Sequence, residues 1–157
     1  MFTSQSLRAV VKPGSVAFGE HRLDDVVHQI DVRGTLEDEA GRELGRRVES
    51  ALAGGVRWLI LDVAEAIDVS DRVLAGLVSA AGALRARRGE LIVAGASRSV
   101  TERLAAYDVA HRPAVAASVD QAVMILKMLR PKTDIQRPAQ RAKQRISSLT
   151  LPRIEPT

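Results

Sequence analysis

The chain has 157 residues, no cysteine, 46% apolar and 3% aromatic side chains, and a formal net charge of +4. That length holds one ordinary domain with its own core plus an appendage. The missing cysteine excludes disulfides, thiolate metal sites and cysteine nucleophiles, and fits a reducing cytoplasm.

Residues 1–14 form an N-terminal arm of weak pattern; a first strand is expected from Leu7–Val11 or from Ser15–Phe18. Val26–Val32 alternates loosely between apolar and polar side chains, as a half-buried strand does, and Gly34 is expected to end it. Glu37, Asp38 and Glu39 suit the positive end of a helix dipole, and Ala40, Leu44, Val48, Ala51 and Leu52 follow on one helical face until Gly54-Gly55. Val56–Val63, with Trp58, Leu59, Ile60 and Leu61 at its middle, is dense enough for a central strand covered on both faces.

A short loop is expected after Asp62-Val63, with a helix opening near Ser70-Asp71-Arg72. Val73, Leu74, Leu77, Val78, Ala81 and Leu84 make its apolar stripe, with Arg85, Arg87 and Arg88 near the C-terminal end and Gly89 beyond. Leu91–Ala94 reads as another short strand. Ser99-x-x-Glu102 has the capping-box spacing ahead of a helix with Val100, Leu104 and Ala105, and Gly95-Ala96-Ser97 also reads as an ordinary helix cap. Ala114–Ala117 is expected as an edge strand. Ser118-x-x-Gln121 then caps a last helix with Val119, Ala122, Val123 and Leu126 inward. The order β-β-α-β-α-β-α-β-α describes an α/β fold, a single mixed sheet with helices packed on it.

The charge sits at one end. From residue 130 on, seven basic residues oppose Asp134 and Glu155, a balance of +5, which leaves −1 for residues 1–129. This segment also holds Pro131, Pro138, Pro152 and Pro156, so it reads as a basic tail without a core, suited at most to weak contact with anionic surfaces. No signal peptide and no apolar run long enough to span a bilayer is visible, and a cytoplasmic protein is expected.

Three segments carry a resemblance. Gly34-Thr35-Leu36-Glu37 is similar to the Gly-x-Leu-Asp that closes the second strand of the STAS domain family, whose best-known members are the bacterial anti-sigma factor antagonists. Asp62-Val63 matches the end of that family's third strand, and Ser118–Leu126 is similar to its final Ser-led helix. The likeness covers residues 15–129 and implies a non-enzymatic module that binds an anti-sigma factor or another protein partner.

In phosphoregulated members of that family the loop after the central strand reads Asp-Ser-Ser/Thr-Gly-Leu, and its second hydroxyl is phosphorylated. Counting without gaps from Asp62, or backwards from Leu91-Ile92, sets Ser70, Asp71, Arg72, Val73 and Leu74 against those five residues. Arg72 then occupies the acceptor position, and arginine cannot take a phosphoryl group. A rival register places Asp68-Val69-Ser70 on Asp-Ser-Ser and makes Ser70 the phosphorylation site. It removes two residues before the helix and adds two after it, turning the buried stripe by roughly 200° relative to the cap. Without phosphorylation, Ser70 has a plain role as helix N-cap.

The partner surface implied by the resemblance is Ile67–Leu74, with Asp68, Ser70, Asp71 and Arg72 as contacts and Gly34–Glu37 beside it. A second implied function is a structural subunit of a larger assembly, such as a lipid-transport complex or a stressosome-like scaffold. A receiver-type phosphoacceptor role for Asp62 fails for want of a magnesium-binding acidic pair and of any lysine in Val93–Ser99. His21, His28 and His111 are too scattered for a metal site, and no phosphate-cradling loop, dinucleotide fingerprint or activated serine motif occurs. No catalytic set, cofactor site or specific nucleic-acid surface is therefore expected, and the sequence assigns no oligomeric state.

Overall fold

A computed structural model describes residues 16–130 of the chain. Its elements are β1 (Val16–Asp24), β2 (Val27–Thr35), α1 (Asp38–Ala53), β3 (Trp58–Ile67), α2 (Asp71–Arg85), β4 (Glu90–Ala94), α3 (Arg98–Ala105), β5 (Ala114–Ala116) and α4 (Val119–Leu129). The Leu7–Val11 alternative for the first strand lies outside the described residues, as do residues 131–157 of the basic segment. Contacts divide the chain inside α4, between Ile125 and Leu126, and the fold described below is that of the residues up to Ile125.

The five strands form one sheet in the order β1-β2-β3-β4-β5. β1 and β2 are an antiparallel hairpin, and its turn is held by Asp24 Oδ1, which accepts the Val26 and Val27 N–H groups at 2.9 and 3.0 Å. The other three pairings are parallel, each reached through a helix, which is what parallel strands require. Strand alternation divides the buried residues between two faces. Ile30, Val32, Leu59, Leu61, Val63, Leu91 and Val93 join Leu44 and Val48 of α1, Leu74, Leu77 and Leu84 of α2, and Val100 and Leu104 of α3 in one core. Trp58, Ile60, Ile92 and Ala94 alternate with these and are buried on the opposite side.

Besides β1, which runs past Phe18 to Asp24, three boundaries differ from those expected. Gly34 does not end β2: with φ of 104° it lies inside the strand, paired to Val16 and to Ala66. β3 does not end at Val63 but runs on to Ile67, paired only with β2, because its ladder with β4 stops at Asp62–Ala94. The continuation follows a bulge. Between the pairs Asp31–Asp62 and Arg33–Glu65, β3 advances one residue more than β2, and Asp62 Oδ1 accepts the Ala64 N–H at 3.0 Å.

The third boundary is the start of α3. Its N-cap is Ser97, not Ser99: the Ser97 hydroxyl accepts the Val100 N–H at 3.3 Å, and Glu102 pairs with Arg98 instead of reaching back to a cap. Gly95 sets this start. Its φ is +75°, and a Cβ there would lie 2.8 Å from that of Ala64, so the β4–α3 loop closes tightly against the bulge. Ser118 does cap α4, accepting the Gln121 N–H at 3.1 Å while Gln121 accepts the Ala117 N–H.

Candidate docking site at the start of α2

The loop between β3 and α2 is only Asp68, Val69 and Ser70. Asp68 has φ of 51°, a left-handed conformation that Asp tolerates better than most residues, and this turns the chain out of the strand. Val69 is buried and anchors the loop to the core. Two backbone bonds tie this loop to the end of β2: Leu36 N–H donates to Ile67 O at 3.0 Å, and Ser70 N–H donates to Leu36 O at 3.1 Å. Leu36 is fully buried between them. Gly34–Glu37 therefore lies beside the helix start, as the resemblance implies.

Ser70 is the N-cap of α2, and its hydroxyl oxygen accepts the Val73 N–H at 3.2 Å. Its proton points to Asp38 Oδ1, 3.4 Å away. The other Asp38 oxygen faces the Arg72 guanidinium at 3.8 Å. Asp71 accepts a hydrogen bond of 2.6 Å from Arg103 of α3. The Arg72 and Asp71 side chains nevertheless remain 74% and 92% exposed, so both charges are presented to solvent. Asp68 is exposed and makes no hydrogen bond or ion pair among the described residues.

The structure thus brings all four expected contact residues onto one short surface. It adds two that the sequence did not single out for the site, Asp38 from α1 and Arg103 from α3. Neither had a local signal, since Asp38 reads as a first-turn helix acid and Arg103 as an ordinary surface cation.

Two hollows flank this ridge. On one side a depression of about 500 Å³ lies beyond the carboxyl ends of the parallel strands, with Glu37, Asp68, Ser70, Ser97 and Arg103 in its wall. Ligands of open α/β sheets commonly bind at such strand ends. On the other side an apolar groove of about 390 Å³ runs between α1 and α2. The first hollow is polar and mixed in charge, the second mostly apolar. Among the described residues no group of His, Asp and Glu is arranged to hold a metal ion, and no helix is long and apolar enough to cross a membrane.

Solved structures share this fold. The unphosphorylated anti-sigma factor antagonist SpoIIAA aligns with a TM-score of 0.59 at 16% identity, over 71% of this chain and 98% of its own. Bacillus SpoIIAA in its phosphorylated form aligns with a TM-score of 0.58 at 16% identity, over 68% and 96%. An anti-sigma factor antagonist from Mycobacterium paratuberculosis gives 0.62 at 16% identity, over 75% and 99%. A putative one from Thermotoga maritima gives 0.63 at 14% identity, over 70% and 94%.

The chain has the STAS fold.

No family model matches the sequence, and no curated protein matches it. The likeness is therefore one of architecture. Within the STAS fold, the helix that opens at Ser70 follows the third strand, and here its first turn displays fixed charges of both signs.

Proposed function

We propose that this STAS-fold chain is a non-enzymatic protein–protein interaction module, an anti-sigma factor antagonist or a related regulator of a sigma-factor pathway. It docks through Asp68, Ser70, Asp71 and Arg72 and works without a phosphorylation switch in this loop. One observation carries this reading. The second residue of α2 is Arg72, whose guanidinium is 74% exposed at the place the ungapped register gives to the acceptor hydroxyl. A guanidinium stays protonated at cellular pH and accepts no phosphoryl group.

Ser70 is the hydroxyl of this loop, and it is engaged as a cap, with Asp38 at its proton. A phosphoryl group there would add a charge of about −1.5 to −2 beside a carboxylate already in place. A partner of this surface discriminates by fixed charge, because charge complementarity governs encounter and the rejection of wrong partners.

The test begins with co-purification from cells using the full chain. Recovery of an ATP-binding anti-sigma factor supports the reading, and recovery of transporter or scaffold subunits supports a structural-subunit role instead. Titration of the recovered partner with Arg72→Glu is then expected to show affinity lower by about tenfold or more, ~1.4 kcal/mol. Unchanged affinity removes the docking role of Arg72.

A further inference from the structure

Three glycines occupy exposed helix positions with no reason inside the chain. Gly41 is accounted for, since a Cβ there would lie 2.6 Å from a Val73 methyl. A Cβ added at Gly45 of α1, or at Gly76 or Gly82 of α2, would meet nothing within 4 Å. Glycine is the poorest helix former after proline, so these positions weaken their helices without relieving any crowding.

The two on α2 belong to an exposed face of Ala75, Gly76, Ser79, Gly82, Ala83 and Ala86, on a helix without a charged residue between Arg72 and Arg85. Beside this face lies the groove between α1 and α2, floored by the buried Leu44, Val48, Val73 and Leu77 and edged by the partly exposed Leu52 and Ala80. Gly45 and Gly76 stand on opposite walls of that groove. A neighbour that packs here can bring its backbone close, as small side chains permit at helix–helix contacts.

We propose that this face and groove form a seam with a second copy of the chain, in which the two α2 helices cross antiparallel at Ser79. The sequence is symmetric about that residue: Gly76 and Gly82 stand three positions away on either side, and Ala75 and Ala83 four. A two-fold axis at Ser79 therefore sets small residues against small residues on the exposed face from Ala75 to Ala83. Charge selects the same direction. One end of α2 gathers Asp38, Asp68 and Asp71 around Arg72 and Arg103, a balance of −1, while the other carries Arg87 and Arg88, with Arg85 neutralised by Glu90 at 2.7 Å. Antiparallel crossing brings the acidic end of each copy to the basic end of the other, and parallel crossing would oppose like charges.

A 15-residue helix is about 22 Å long, so the seam stands at the small end of stable interfaces even with the groove walls included. The expected pair is reversible and concentration-dependent. It does not depend on the docking role proposed above. It does share Arg72 with that surface, so pairing and partner capture exclude one another.

The full chain has no cysteine, which makes single-cysteine variants clean probes. Sedimentation of the parent protein over rising concentration is expected to approach twice the chain mass of 16.9 kDa. Ser79→Cys under mild oxidation is expected to cross-link severalfold faster than Ser50→Cys, which stands on the exposed side of α1 away from the groove. Ser79→Arg, at an exposed position, is expected to keep the parent's melting midpoint and to sediment as a monomer. A parent that remains monomeric at every concentration overturns the proposal, as does equal cross-linking of the two cysteine variants. If Arg72→Glu abolishes partner binding while the parent stays monomeric, the seam falls and the docking surface stands.

Discussion

Removing the Ser70 hydroxyl isolates the contact that fixes the start of α2. In Ser70→Ala the partly buried Val73 N–H loses its acceptor at 3.2 Å, and Asp38 loses the weaker contact at 3.4 Å. Loss of a helix N-cap costs about 1 kcal/mol, within ~0.5–2. For a domain of this size that lowers the melting midpoint by roughly 3–6 °C. Ser70→Asp supplies the companion measurement. A carboxylate still accepts the Val73 N–H and suits the helix dipole, but it approaches Asp38. Its stability is expected to lie between that of Ser70→Ala and the parent at low salt, and to move toward the parent as salt screens the Asp38 repulsion. Thermal and urea melts followed by circular dichroism measure both. If Ser70→Ala melts with the parent, or if Ser70→Asp matches the alanine variant at every salt concentration, Ser70 is not the cap that sets this helix.

Other perturbations test the scaffold around the site. Gly95→Ala forces a Cβ onto a residue with φ of +75° and 2.8 Å from that of Ala64, and is expected to destabilise by about 1–3 kcal/mol in urea melts. A loss below a few tenths would show that the β4–α3 loop does not close on the bulge. The Glu20 carboxyl is held below its ordinary value of 4.5, first by its hydrogen bond with His28 and also by Arg47, against partial burial. A depressed folded-state pKa contributes stability above the unfolded value that is lost as pH falls through the folded one. The parent is thus expected to lose stability on acidification below about 4.5 more steeply than Glu20→Gln, and parallel acid limbs would contradict it.

The elements that sequence reveals best are those with dense or periodic apolar patterning. Leu59–Leu61 and Leu91–Val93 read as buried strands and are, and the stripe Val73, Leu74, Leu77, Ala81, Leu84 is buried on α2. Ser70 as a cap was legible because the cap position, the first-turn acid Asp71 and the stripe agree in phase. The far half of β3 was not. Ala64, Glu65 and Ala66 have low strand preference, the stretch to Ile67 shows no alternation of burial, and pairing with β2 across the bulge keeps it extended.

Ser97 and Ser99 both read as caps in the sequence, and what separates them is likewise not local. The Ser99-x-x-Glu102 spacing is a local pattern, whereas the real start is set by Gly95 closing on Ala64 from another strand. Asp38 and Arg103 follow the same rule. Their roles exist only after the fold brings α1 and α3 to the ends of α2.

In the function proposed above, fixed charge, with no removable phosphate, governs the surface at Ser70–Arg72. Peptide mass spectrometry of the Ile67–Leu74 segment, in protein taken from growing cells and after incubation with candidate kinases, tests it most directly. The segment is expected unmodified in both samples. Phosphate found on Ser70 would contradict it.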